Sequence, residues 1–257
     1  MFIDTHCHLD DPKLKDDLIA VVNEFKACGV GRVINIGCDV KSSELVKEQA
    51  EQFEEVYFAA GLHPMDIKDL EISAIYDIKG LLDHEKCVAV GEIGLDYYWD
   101  KSYSDKQKEF FVAQLELACA AGLPVNLHIR DAMGDACKIL RENRDKLRYG
   151  GIMHCYSGSI ESAKELMKLG LYISFGGSLT FKNARNIKEV AAAVPREYIL
   201  TETDSPFLAP EPFRGTVNAP KRIPVIAEKL AEIRGEDIGE VETYVYENAK
   251  RLFSKLK

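Results

Sequence analysis

The first residues after the initiator read Phe2-Ile3-Asp4-Thr5-His6-Cys7-His8. Taken as a strand, this segment puts residues i and i+2 on one face. Both imidazoles then point one way and Cys7 points the other. Two nitrogens on one face are a ready pair of metal ligands, although His-x-His alone equally describes a polar strand end facing solvent. What decides the fold is that the segment has counterparts. Eight short apolar, β-branched runs can be read: Phe2–His8, Arg32–Cys38, Val56–His63, Cys87–Leu95, Pro124–Arg130, Gly151–Cys155, Leu171–Gly177 and Tyr198–Asp204. Their continuous hydrophobicity is that of strands covered on both faces, as in a parallel sheet.

Helical periodicity fills the intervals. Leu18, Val21, Val22 and Phe25 recur at i, i+3, i+4 and i+7, and the same spacing runs through Phe111, Leu115 and Ala118, through Ile160, Ala163 and Met167, and through Val241, Tyr244, Val245, Asn248 and Leu252. Gly29, Gly122 and Gly170 stand where helix C-terminal caps belong. Strand–helix alternation repeated eight times, with no linker or shift of composition, predicts one domain over residues 1–257, a (β/α)₈ TIM barrel. An open doubly wound sheet is the alternative topology. The Pro- and Gly-rich stretch Ser205–Pro220 reads as an extended loop after the eighth strand, on the face where barrel active sites lie.

A net charge of −9 argues against a broad basic face for reading nucleic acid. It leaves room for a local electropositive cleft, which bound metal ions would supply. The seven cysteines are odd in number and contain no Cys-x-x-Cys, which points to reduced thiols in a cytoplasmic protein. Residues 1–10 lack the basic and then apolar segments of a signal peptide, and no apolar run reaches the length of a membrane span.

Five of the six histidines fall in or at the end of an expected strand: His6, His8, His63, His128 and His154. His84 lies in a helix-to-strand connection, has no partner in the pattern and is expected at the surface. Glu92 follows the apolar run Val88-Ala89-Val90-Gly91, and Asp204 closes the eighth strand. A buried carboxylate must be paired or metal-bound. One strand ending in His is ordinarily a satisfied core histidine, but in a barrel all these ends converge on one mouth. His6, His8, Glu92, His128, His154 and Asp204 thus read as metal ligands of the types that Zn²⁺ and Mn²⁺ prefer. Four histidines and two carboxylates exceed one tetrahedral ion, so two divalent ions (Zn, Mn or Mg) sharing a carboxylate fit better. With the carboxylates and a bridging hydroxide, the net charge there is about +1, suited to a phosphodiester.

Several segments together resemble the TatD family of metal-dependent deoxyribonucleases. They are residues 2–8, Gly61-Leu62-His63-Pro64, residues 90–98 (Val-Gly-Glu-Ile-Gly-Leu-Asp-Tyr-Tyr), residues 127–132 (Leu-His-Ile-Arg-Asp-Ala), residues 154–158 (His-Cys-Tyr-Ser-Gly), residues 201–206 (Thr-Glu-Thr-Asp-Ser-Pro) and residues 247–253. They run in family order across nearly the whole chain. The resemblance implies a (β/α)₈ barrel and hydrolysis of DNA phosphodiester bonds, as a 3′–5′ exonuclease or an endonuclease. It implies one ion on His6, His8, Glu92 and Asp204, a second on Glu92, His128 and His154, and a phosphate contact from His63. Family members often carry Arg-Asn-Glu-Pro after strand eight; here the segment is Val217-Asn218-Ala219-Pro220, which puts in doubt any substrate contact or loop tie made by the missing Arg and Glu.

The expected mechanism is metal-assisted hydrolysis. Asp204 serves as ligand and base, Glu92 as bridge, and His63 as donor to a phosphate oxygen or the leaving group. The expected partner is DNA, single-stranded in one reading, with neither a membrane nor an obligate protein partner. Arg130 shares strand parity with His128 and either clamps phosphate or makes a rim salt bridge with Asp131. Glu202, placed among the substrate-side residues, either orients a ligand histidine beneath Asp204 or is a buried Glu tied to a basic partner. Tyr97, assigned to the substrate with Tyr98 and Trp99 beside it, either stacks on bases or packs its loop. Cys7 and Cys155 alternate with ligands and are expected to face the helices. Two other readings compete. One is a metal-dependent ester hydrolase acting on a substrate such as D-aminoacyl-tRNA; the amidohydrolases that bridge their metals with a modified Lys are disfavoured by Glu92. The other is a non-catalytic metal-binding scaffold, disfavoured because all six ligand positions are filled.

Overall fold

A computed structural model describes residues 1–257. Eight parallel strands pair in sequence order: β1 (Phe2–Cys7), β2 (Val30–Ile36), β3 (Val56–Ala60), β4 (Cys87–Asp96), β5 (Val125–Arg130), β6 (Gly151–Met153), β7 (Leu171–Phe175) and β8 (Ile199–Thr201). The circle closes between β8 and β1 through a parallel bridge from Cys7 to Ser205. His8 N–H donates to the Ser205 carbonyl at 2.7 Å, and Asp204 N–H donates to the His6 carbonyl at 2.9 Å. The barrel topology is as expected, and the open-sheet alternative is excluded by this closure.

Helices α1 (Leu18–Ala27), α2 (Val40–Gln52), α3 (Ile75–Lys79), α4 (Ser104–Ala121), α5 (Met133–Glu142), α6 (Ile160–Met167), α7 (Arg185–Ala193), α8 (Ile223–Arg234) and α9 (Ile238–Leu252) complete the fold. Local chemistry sets their ends. Asp39 and Ser42 form a reciprocal capping box at the start of α2, and α4 stops at Gly122 with φ of 71°. No helix is long and apolar enough to cross a membrane.

The core has two parts. Outward strand residues such as Val33, Phe58 and Val90 pack against Phe25, Phe111 and Leu230 of the helices. Inward residues, among them Ile34, Tyr57, Ile152 and Leu200, meet Leu252, Phe253 and Leu256, so the end of α9 and the residues after it close the bottom of the barrel. With an apolar floor, polar inward residues are confined to the opposite, C-terminal mouth.

The expected strand ends run too far. β1, β2, β3, β6 and β8 stop at Cys7, Ile36, Ala60, Met153 and Thr201, so His8, Cys38, His63, His154 and Asp204 lie one to three residues beyond the ladder. Past the ladder the two-residue alternation no longer holds, because Cys155 and Asp204 turn through positive φ (45° and 52°). Cys7 packs in the outer cluster as expected. Cys155 does not follow: its turn leaves it half-buried near Asp204, Glu202 and Glu92, and desolvation followed by those charges pushes its pKa well up. His84 is half-buried and paired with Glu51 at 3.2 Å, not a partnerless surface residue.

Candidate metal centre

Six strands deliver the polar side chains at the mouth, with His6 and His8 both on or just past β1. The geometry is organised around Glu92 of β4, whose carboxylate is 4 % exposed. Its Oε2 lies 3.5 Å from His6 Nε2 and 3.7 Å from His8 Nε2. Both of those nitrogens also face Asp204 Oδ1, at 3.7 and 3.5 Å. Its Oε1 faces the other set: His128 Nδ1 at 2.8 Å, His154 Nε2 at 3.2 Å and His63 Nε2 at 3.6 Å. The structure thus brings together His6, His8, His63, Glu92, His128, His154 and Asp204.

The far nitrogen of each histidine is spoken for. His8 Nδ1 lies 3.2 Å from the Ile36 carbonyl, which can only accept, so the ring donates there and its Nε2 lone pair faces the centre. His6 Nδ1 meets Asn126 Oδ1 at 3.1 Å, His154 Nδ1 meets Glu202 Oε1 at 3.2 Å, and His128 Nε2 meets Asp96 Oδ2 at 3.0 Å. Carboxylates and carbonyls behind a histidine fix the tautomer that offers a lone pair to a metal.

The donor set fits divalent ions. His6 Nε2 and His8 Nε2 point at one another across 3.1 Å, and His128 Nδ1 directs its lone pair at a carboxylate oxygen. Lone pairs converging on lone pairs repel unless a cation lies among them. Ligand atoms each about 2.0–2.2 Å from one Zn²⁺ stand roughly 3–3.6 Å apart, close to the 3.1–3.7 Å among His6, His8, Glu92 and Asp204 and to the 2.8–3.6 Å from Glu92 Oε1 to His128, His154 and His63; the compact triad on the second side is His63, Glu92 and His128.

The electrostatics agree. Burial alone would raise the Glu92 carboxyl, but the positive charge that the surrounding imidazoles would carry holds it well below the ordinary range, and Asp204 is held low against burial in the same way; a cation among lone-pair donors would exert the same pull. Burial drives the His63 pKa down to about 3. Because His63 Nδ1 accepts from Met65 N–H at 3.2 Å, the neutral ring carries its proton on Nε2, aimed at the centre.

Other assigned residues stand elsewhere. Glu202 is fully buried and accepts from His154 Nδ1 and, at 2.5 Å, from Cys155 N–H. It is closed off from solvent, and its contacts hold the orientation of His154. It also lies within ligand distance of His6 and His154, with Oε1 committed to His154 and Cys155 and Oε2 buried without a partner. Tyr97, half-buried, gives its hydroxyl to Asp135 of α5 at 2.8 Å and has Lys101 over its ring, contacts that pack its loop. Arg130 has no carboxylate within 4.0 Å, so the Asp131 salt bridge does not form; its guanidinium stacks on Tyr98. In the departing loop, Val217 is exposed and Ala219 buried, and Asn218 makes the tie by donating to the Thr203 and Phe207 carbonyls at 2.9 and 2.7 Å.

Three contributors escape sequence reasoning. Asp96 and Asn126 orient ligand histidines, and Asn126 had a signal, since it shares parity with His128 two residues on. Cys38 places its thiol 3.9 Å from His8 Nδ1 and 3.8 Å from Glu92 Oε2; its position at the end of the second run was the signal.

Comparison with known proteins bears on this centre. The family model described as TatD related DNase matches residues 3–254. The chain is 45 % identical to the "uncharacterized metal-dependent hydrolase YabD" of Bacillus subtilis, over 98 % of this chain and 99 % of that one. It is 34 % identical to the "uncharacterized metal-dependent hydrolase YcfH" of Escherichia coli, over 98 % and 95 %. The crystal structure of YJJV, a TatD homologue from Escherichia coli, superposes with a TM-score of 0.94 at 32 % identity, covering 98 % of each chain.

Proposed function

The chain belongs to the TatD family of metal-dependent hydrolases, and from that premise we propose that it is a deoxyribonuclease that hydrolyses DNA phosphodiester bonds at a centre of two divalent ions. The observation that carries the reading is the division of Glu92. Oε2 faces His6, His8 and Asp204, while Oε1 faces His128, His154 and His63. One carboxylate serving two donor sets suits two ions, held by His6, His8, Glu92 and Asp204 and by Glu92, His128 and His154. Ions held by these residues would lower the pKa of a bound water toward about 7 and would polarise a phosphoryl oxygen.

The chain's own groups do the rest. Asp204 is 13 % exposed against 4 % for Glu92, so it is the anionic carboxylate within reach of an incoming water and the one suited to take its proton. His63 stays neutral across the physiological range and presents Nε2–H to a phosphate oxygen or the leaving oxygen. The local cationic charge of the ions accounts for an acidic protein with an anionic substrate.

The test is metal analysis of the purified protein, with labelled DNA and D-aminoacyl-tRNA offered in Zn²⁺, Mn²⁺ and Mg²⁺. The expected result is two ions per chain and DNA cleavage that is abolished in Glu92→Gln and His128→Ala. Cleavage that persists in those variants overturns the mechanism. Turnover of the aminoacyl ester with DNA left intact moves the substrate to the ester class.

A further inference from the structure

Beside the metal centre, the rim above β4 and β5 leaves a large aromatic surface uncovered. Tyr98 and Trp99 are 53 % and 66 % exposed and meet edge to face, with ring centres 4.8 Å apart at 87°. The Arg130 guanidinium lies 3.8 Å from the Tyr98 ring centre and 5.6 Å from that of Trp99. Stacking occupies a flat face of the guanidinium and leaves its in-plane N–H donors free.

This shelf is bonded directly to the centre. Asp96 accepts from His128 Nε2 with Oδ2 (3.0 Å) and from Tyr98 N–H with Oδ1 (2.9 Å). Gln107 clamps the Asp96 backbone through two bonds of 2.9 Å, and Tyr97 N–H donates to the Arg130 carbonyl at 2.9 Å. Arg130 itself ends β5, two residues beyond His128. One carboxylate therefore sets both a metal-facing histidine and the loop that carries the aromatics.

We propose that Tyr98, Trp99 and Arg130 form a base-stacking subsite that holds an unpaired nucleobase of the substrate strand beside the scissile phosphate. The proposal rests on the nuclease reading above and adds where the substrate lies. A flat apolar face beside a free guanidinium matches a ligand that is itself flat at one end and anionic at the other, which describes a nucleotide unit. Arg130 and Lys101 lie on this side of the mouth, over the tyrosines of the loop after β4, whereas the loops after β1, β2 and β3 carry Asp10, Asp39 and Asp66.

Trp99 is the only tryptophan in the chain, so fluorescence under tryptophan-selective excitation, which spares the eleven tyrosines, reports on the subsite. The metal-loaded protein is titrated with a short oligothymidylate carrying cleavage-resistant phosphorothioate linkages, and with an abasic strand of the same length. Saturable quenching by the base-bearing strand alone is expected. On a cleavable strand, Trp99→Ala should raise KM about tenfold, the scale of one lost base stack, and Trp99→Phe should restore it. Equal quenching by the abasic strand, or parental KM in Trp99→Ala, overturns the subsite. Base-dependent quenching without cleavage in any metal keeps the subsite and removes the nuclease reading. Cleavage with a silent Trp99 does the reverse, and neither signal removes both.

Discussion

Glu202 Oε1 lies 3.2 Å from His154 Nδ1 and carries no exposed surface. The same oxygen takes the Cys155 N–H where the chain turns through φ 45°. A carboxylate in this position fixes the tautomer of His154 and increases the basicity of its metal-facing nitrogen. Glu202→Gln keeps the volume and an acceptor but removes the charge. The loss expected for such a supporting carboxylate is about 10- to 100-fold in metal affinity, read by competition with a chromogenic chelator. Unchanged affinity would show that His154 needs no such partner.

The polar ends of the apolar runs were legible because barrel topology brings every strand's C-terminal end to one mouth. The periodicity that marks a strand also marks which residue leads it out of the core. What lay outside the sequence is pairing across the barrel. His6 meets Asn126 from 120 positions away, and Asp96 meets His128 across 32. Nothing local in either partner announces the other. Consecutive side chains leave the backbone in different directions, so Tyr97 bonds to Asp135 of α5 while Tyr98 and Trp99 stay exposed, a division the triplet itself does not announce. Cys155 defeated alternation because the ladder had already ended at Met153.

Among the histidines around Glu92, His63 is the one whose far nitrogen accepts a hydrogen bond, from Met65 N–H, so its proton faces the centre. If it donates to substrate and does not bind metal, His63→Ala should retain both ions while kcat falls about 10²- to 10⁴-fold, the range for a positioned proton donor. Burial holds its pKa to about 3, so its protonation makes no acid limb between pH 5 and 8. The kcat–pH profile of the variant should therefore keep the parent's shape at reduced height. Loss of one ion on metal analysis would instead make His63 a ligand.

Gly94 has φ of +144°, and a Cβ built on it would stand 2.0 Å from the His128 carbonyl oxygen. The obstacle is backbone, at the point where β4 and β5 pair and carry Glu92 and His128 into the centre. Gly94→Ala should cost more than about 3 kcal/mol, combining an unfavourable φ with overpacking. Urea unfolding measures this, and a change below about 1 kcal/mol would mean that the two strands can part without loss.

The last prediction lies away from the centre, where metal does not disturb titration. Glu236 accepts from Arg234 Nε at 2.9 Å, Arg196 Nε at 3.0 Å and Tyr244 hydroxyl at 3.1 Å. Burial by itself would raise its carboxyl, but the bond from Arg196 and the charge and bond of Arg234 hold it below the usual value. Arg196 is half-exposed and screened by solvent, so the buried Arg234 carries most of the interaction. A carboxyl whose pKa is lower folded than unfolded stabilises the fold above the unfolded value, about 4.3, and that stabilisation is lost as pH falls through the folded value. Glu236→Gln should therefore be less stable than the parent by about 1–2 kcal/mol at pH 7, and the gap should close below about pH 4 as the parent's carboxyl takes up its proton. Urea midpoints measured for both proteins from pH 7 to pH 3.5 test the sign: a gap that stays constant or widens toward acid would mean that packing of Tyr244, and not the charge on Glu236, holds α9 at this corner.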